Sequence, residues 1–258
     1  MTPAPQKSVR IHVQTPDWAI SSTLAVPAEP APIEAWLPFL QSLASKSAQS
    51  AEDAAARDGK CVSCAKGCGA CCRQLVAISL VEARGLARLV TDMPEPRQSE
   101  IRGRFAEALR RITESGVLER DFSNTETPAG EPLAETEHQR LGAAWFGLSV
   151  ACPFLQDESC SIHESRPLVC REYQVTSPAA ACSRLYKEPV ERVEMSARLG
   201  QSLARATARI AGVSVAMIPL VMALQPSAEI DGVLAEPRDM IEMLEVILSE
   251  IGDWRIDQ

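Results

Sequence analysis

The chain has 258 residues, 46% of them apolar, with a formal charge of −8 and a pI near 5.1. That length can bury a substantial core without cross-links, and the acidic balance offers no basic field for a phosphate backbone, so no nucleic acid partner is expected. The longest apolar stretch, Ile210 to Leu224, is about fifteen residues interrupted by Ser214 and Pro219; a bilayer span needs roughly twenty, so a buried, bent helix and no membrane partner are expected.

The opening run MTPAPQKSVRIHVQ lacks the apolar core of a secretory signal, and the expected compartment is the cytoplasm. Arg10 to Val13 and Ala19 to Val26 carry β-branched residues in partial alternation around Thr15-Pro16-Asp17, the pattern of a small hairpin. A proline-rich connector, Pro27 to Pro38, leads into a helix toward Arg57, with Leu37, Leu40, Leu43 and Ala44 on one side and Asp58-Gly59 as its stop. Ser79 and Glu82 form a capping box for a helix that Met93-Pro94 ends. A further helix is predicted over Arg97 to Leu118. Polar Glu119 to Glu137 reads as an exposed excursion before helical periodicity resumes at His138 to Phe146. Glu188 to Ala211 and Asp239 to Ile251 are also predicted as helices. The expected fold class is mainly α with a small N-terminal β element and an irregular cysteine-rich metal-binding centre.

Eight of the nine cysteines fall into two tight groups, Cys64, Cys68, Cys71 and Cys72, then Cys152, Cys160, Cys170 and Cys182. Neighbouring thiolates repel and reduced thiols oxidise, so such grouping points to a soft metal or an iron-sulfur cluster. Cys61 stands three residues before the first group as a bystander. A disulfide framework fits poorly, because a cytoplasmic chain disfavours persistent disulfides and an adjacent Cys71-Cys72 bridge would close a strained ring.

On a regular helix the first group would lie in a row about 12 Å long at 1.5 Å per residue, too long to wrap one zinc at about 2.3 Å. Completing ligands would then come from the second group. Gly67 and Gly69 leave a looped backbone open as the alternative. Four thiolates on zinc(II), or on a four-iron cluster of charge 2+, leave a net charge of 2−, which favours nearby N–H and guanidinium donors. Arg73, Arg166, Arg171 and Arg184 all lie within four residues of a cysteine, and Arg171, directly after Cys170, is the favoured contact with the bound group.

The run Cys64-Ala65-Lys66-Gly67-Cys68-Gly69-Ala70-Cys71-Cys72-Arg73, the element Cys152-Pro153-Phe154-Leu155, and the stretch from Cys160-Ser161-Ile162 through Arg166-Pro167 to Cys170-Arg171-Glu172-Tyr173 occur in that order. Together they resemble the YkgJ-type cysteine-cluster family of zinc- or iron-chelating domains, over roughly Cys64 to Cys182. The resemblance implies an eight-cysteine metal site on Cys64, Cys68, Cys71, Cys72, Cys152, Cys160, Cys170 and Cys182, with Cys61 outside it. His163 stands where the family often has tyrosine.

Because the family includes bacterial flagellin lysine methylases, the resemblance also implies an enzymatic alternative, methyl transfer to a protein lysine at an iron-sulfur cluster. The radical-enzyme spacing C-x3-C-x2-C does occur at Cys64, Cys68 and Cys71, but the strand-helix alternation of the barrel such enzymes use is missing. The expected cofactor is an iron-sulfur cluster or zinc, the methylase relatives tipping the balance toward iron. A purely structural zinc module is the other alternative, and the protein partner or substrate is left open. Three segments are expected: 1–58 with the β element, connector and first helix; 59–187 with the cysteine cluster; and 188–258, a helical region packing on the same core.

Overall fold

Val9, Ile11 and Val13 alternate with polar residues and so line one face of a strand. In the computed structural model, which describes residues 5–15, 18–118, 135–195, 197–214, 217–225 and 228–257, that strand is β1 (Gln6–Thr15). It pairs antiparallel with β2 (Trp18–Pro27), from Gln6 opposite Pro27 to Thr15 opposite Trp18. The expected hairpin is present, and Pro16-Asp17 lies outside the described residues.

The next elements follow in chain order: α1 (Leu37–Arg57), β3 (Ala77–Ser79), α2 (Leu80–Thr91), α3 (Arg97–Ser115), α4 (Glu135–Gly147), β4 (Leu155–Gln156), β5 (Ser159–Cys160), α5 (Leu168–Glu172), α6 (Leu199–Ala211), β6 (Met217–Pro219), α7 (Ala228–Ala235), α8 (Met240–Leu248) and β7 (Asp253–Asp257). Pro38 sits in the first turn of α1, where its missing N–H costs nothing, and Gly59 follows its end at φ +74. Gly116 closes α3 in the left-handed conformation. Most of the expected polar excursion, 119–134, lies outside the described residues. No helix among them is long and apolar enough to cross a membrane.

Two expected helices are corrected. Between Glu188 and Ala211 only Leu199–Ala211 is helical; the earlier part is drawn out against the loop after α5, with the Thr176 amide donating to Glu191 O at 3.0 Å and the Val193 amide to Gln174 O at 2.9 Å. Pro189, which has no N–H to give a helix, stands in this part. The apolar run Ile210 to Leu224 is not a bent helix. Gly212 stops α6 at φ +66, and β6 pairs antiparallel with β3, Ile218 opposite Ile78. The sequence reading also lacked β7, which brings the C-terminal end back beside β1, with Ile256 opposite Ile11.

The largest apolar cluster joins the inner sheet face (Ile11, Val13, Val26) to Trp36, Leu40 and Leu43 of the first helical region, Leu203 of α6 and Leu244 of α8. It draws on residues of all three expected segments. A second cluster holds Ile78, Leu86, Ile101, Phe105, Phe154 and Ile162, with Cys152 and Cys160 packed against it. Its Phe105 and Phe154 rings meet edge to face at 5.3 Å.

The capping box read from Ser79 and Glu82 is formed and reaches further than a cap. Glu82 is 4% exposed. Its Oε2 accepts from the Ser79 amide at 3.0 Å and the Ser79 hydroxyl at 2.8 Å, the Glu82 amide donates to Ser79 Oγ at 3.2 Å, and Oε1 accepts from the Leu168 amide at 2.8 Å. One carboxylate therefore fixes the start of α2 and the start of α5 together. Glu172 does a similar service at the other end of α5, accepting from the Gly200 amide at 3.0 Å and so holding the first turn of α6.

Glu82→Ala should lower stability by about 2–4 kcal/mol, since it strands three buried donors, read by chemical denaturation. Burial pushes the Glu172 carboxyl up to about 7. Its stabilising contribution is full below the ordinary carboxylate range and is lost as pH rises through about 7. Glu172→Gln keeps an acceptor for Gly200 and should flatten the pH dependence of the denaturation midpoint across that window.

Candidate metal centre

The first cysteine group does not lie on an α-helix. Residues 60–69 are irregular, Gly67 takes φ +91, and Ala70–Arg73 forms a single 3-10 turn carrying Cys71 and Cys72. The expected row along one helical stripe is thus replaced by the looped alternative. Gly69 is closely approached: a Cβ there would come within 3.2 Å of the Glu158 backbone, and would push aside the side-chain ends Glu158 Oε2 at 2.6 Å and Leu155 Cδ1 at 2.8 Å.

That approach stitches the two groups together. The Cys152 amide donates to Cys72 O at 2.7 Å, the Gly67 amide to Ser159 Oγ at 3.2 Å, and the Ser63 amide to Val175 O at 2.9 Å. The β4–β5 pair sets Cys160 opposite Leu155, α5 carries Cys170, and the 3-10 turn Ala179–Arg184 carries Cys182. All eight thiols are unpaired by disulfides; Cys64 is exposed, Cys182 is buried, and the other six are partly buried. Cys61 is exposed beside them.

Electrostatics show that the groups share one region. Cys72 and Cys71 are hydrogen-bonded thiols; the bond lets Cys71 ionise first, at about 7, and holds the proton on Cys72. Burial, then the charge of Cys160 and Cys71, outweighs the Phe154 amide and pushes Cys152 up to about 12. Burial also raises Cys170 well above the usual thiol range, with Cys152, Cys71 and Cys160 adding to it. Cys182 is raised by burial and by Cys64, Cys68 and Cys71. Backbone amides oppose this: those of Val175, Phe154 and Ile162 favour the thiolates of Cys64, Cys152 and Cys160.

The arginines divide. Arg73 makes a two-pronged pair with Glu158 at 2.7 and 2.9 Å, and Arg184 pairs with Glu188 at 2.5 Å. Arg171 is buried and donates to Arg166 O at 3.1 Å, Ser45 Oγ at 3.0 Å and Glu164 O, so it clamps the loop before α5 onto α1. Arg166 is the cation whose charge eases ionisation at Cys64, Cys71 and Cys160. Its Nε is buried without a partner, as are Gln74 Nε2 and the Tyr173 hydroxyl. Gln74 lies beside that hydroxyl and favours its ionised form, yet the pair has no geometry that satisfies either group. Nothing in the residue pattern around Gln74 marks it as a buried donor. His163 has a side chain 62% exposed, facing Glu164 at 3.8 Å.

Residues 63–188 match the family model CxxCxxCC, whose description reads "putative zinc- or iron-chelating domain". This stretch is similar to that family. The YkgJ-type resemblance read from the motifs is consistent with that family. No curated protein and no solved structure matches the chain.

The residues of this stretch fit a thiophilic metal in their chemistry. Eight thiols share a region where burial and mutual repulsion oppose ionisation, and three unsatisfied donors lie among the residues around them; a cation among the sulfurs would relieve the first and give the second an anionic partner. They are not drawn in: among the described residues, no three Cys, His, Asp or Glu side chains stand close enough to hold one ion.

Arg166→Gln should slow alkylation of Cys64 by iodoacetamide by about twofold to fivefold near neutral pH, because it removes a charge that favours the thiolate. Peptide mapping by mass spectrometry reads this at each cysteine.

Proposed function

We propose that this protein binds zinc or an iron-sulfur cluster through the thiolates of Cys64, Cys68, Cys71, Cys72, Cys152, Cys160, Cys170 and Cys182. The observation that carries the reading is the convergence of both cysteine groups on one region, through the Cys72–Cys152 backbone bond and the mutual charge effects among the sulfurs. Thiolates suit zinc and iron alike. The bound ion supplies positive charge, and with iron also an electron.

The chain's own residues do the rest. Amides of Val175, Phe154 and Ile162 support the sulfurs, as donors do in thiolate sites generally. Arg166, Gln74 and Tyr173 supply the unsatisfied donors, and Phe154 and Ile162 exclude water on the side of the second cluster. Arg171 acts at one remove in this reading: it holds the 164–166 loop in place, and with it Arg166.

The test is elemental analysis with a visible spectrum on protein purified without oxygen, before and after dithionite. Iron and sulfide in near-equal amounts with a colour that bleaches on reduction would establish a cluster; a colourless protein with bound zinc would establish the zinc form. Protein that retains neither metal after growth in metal-replete medium, and takes up neither on reconstitution, would overturn the reading. Cys170→Ser should lower the bound metal by half or more and reduce the unfolding temperature of the metal-loaded form.

A further inference from the structure

The three-stranded sheet runs in the order β2-β1-β7, so β2 and β7 are its two edges. The edges differ in how they are defended. Within its five residues β7 carries Asp253 and Arg255, and charge is a common means of keeping an edge from pairing with another strand. β2 runs ten residues, Trp18–Pro27, without one charge, and its only proline ends it. The register says which of its backbone groups are unspent. The Ala28 amide donates to Pro5 O at 2.8 Å, and these two residues continue the β1–β2 pairing one step beyond Gln6 and Pro27. Hydrogen-bonded pairs alternate with non-bonded ones along an antiparallel ladder. Val26, Leu24, Ser22 and Ile20 therefore bond back to β1, while Ala25, Thr23, Ser21 and Ala19 aim their N–H and C=O groups away from it. Among the described residues no strand receives them.

We propose that this edge is the contact of a symmetric dimer, in which β2 pairs antiparallel with β2 of a second copy and joins the two sheets into one. The strand's own pattern favours self-pairing. With the two-fold axis at Ser22, Ala19 stands opposite the second copy's Ala25 and Ser21 opposite its Thr23, so all four outward amides find a partner. A register moved toward Pro27 would set a residue without an N–H in a bonding position. On the outer face, where Ala19, Ser21, Thr23 and Ala25 are exposed, the facing pairs are small, and Ser with Thr can share a hydroxyl bond. On the core face Ile20, half-buried beside the largest apolar cluster, meets the second copy's Leu24. No charge of β2 is brought against its like.

A two-fold contact of this kind occupies both of the edges it joins and leaves only the charged β7 edges outside, so assembly stops at two copies. It covers one strand on each copy and belongs with the small interfaces, below about 1,200 Å2, which pass readily between monomer and dimer. The dimer is independent of metal binding, since β1, β2 and β7 carry no cysteine.

The experiment is light scattering on the gel-filtered protein over a dilution series from about 1 to 200 μM, which brackets micromolar dissociation. The expected mass rises with concentration from 27.9 kDa toward twice that value. Ser21→Lys combined with Thr23→Lys sets like charges opposite each other across the axis and should weaken the dimer by about tenfold. Ser21→Lys combined with Thr23→Glu sets opposite charges there and should keep it within about threefold of the unaltered protein. Both variants give up the same Ser21–His12 hydrogen bond, and circular dichroism checks that both keep the fold. Should the lysine pair disturb it, Thr23→Pro, which deletes one outward amide and no bond to β1, reads the same contact by the same loss of dimer. A mass of 27.9 kDa at every concentration would overturn the proposal and leave the edge to a strand of a different protein. A dimer indifferent to these changes would overturn it as well, by placing the contact elsewhere.

Discussion

The buried carboxylate of Glu82 is the constraint on which the cysteine region depends. It sits where β3 ends and α2 begins, and its second oxygen reaches the amide that starts α5. α5 is only five residues long, Leu168–Glu172, too short to be stable by its own hydrogen bonds. Its place is set from outside: by Glu82 at the start, by Leu168 in the main apolar cluster, by Arg171 against Ser45, and by Glu172 against Gly200. Cys170 is carried by this assembly, so its position is inherited from α1, α2 and α6.

Partly buried thiols in this number are an electrostatic problem that solvent only partly relieves. Burial pushes the Cys152 thiol up to about 12, which adds about 4 kcal/mol to the cost of making that thiolate. Apparent binding free energies of structural zinc in finger peptides run to about 10–16 kcal/mol. A divalent ion therefore exceeds that extra cost at one sulfur and leaves a margin for others, whereas a single arginine at partial exposure does not. This explains why Arg166 softens the repulsion without removing it. It also explains why Arg73 and Arg184, committed to Glu158 and Glu188, are no substitute for a metal.

Much of the scaffold was legible because its signals are local. The Ser79–Glu82 box, Pro38 in the first turn of α1 and the alternation of Val9, Ile11 and Val13 each act within a few residues. What the sequence hid was long-range pairing. The stretch before Leu199 has helical periodicity but spends its amides on the Gln174–Thr176 loop, and Ile218 becomes a strand residue only because Ile78 lies opposite. β7 was invisible for the same reason. The metal site divides likewise: the eight cysteines announce themselves by spacing, while Gln74 as a buried donor, and the clamp role of Arg171, arise only when distant loops are folded together.

The apolar core is laid out independently of most of the cysteines. The three apolar clusters are built from the sheet, the long helices and the segments between them, and in the largest no cysteine takes part. A zinc finger lacks such a core and is unfolded without its ion. Here the core is built from other residues, and Cys160 and Cys170 stand on β5 and α5, elements that pack against it. In the metal-binding reading proposed above, a core that stands without the cysteines would leave metal capture free of the cost of folding a domain.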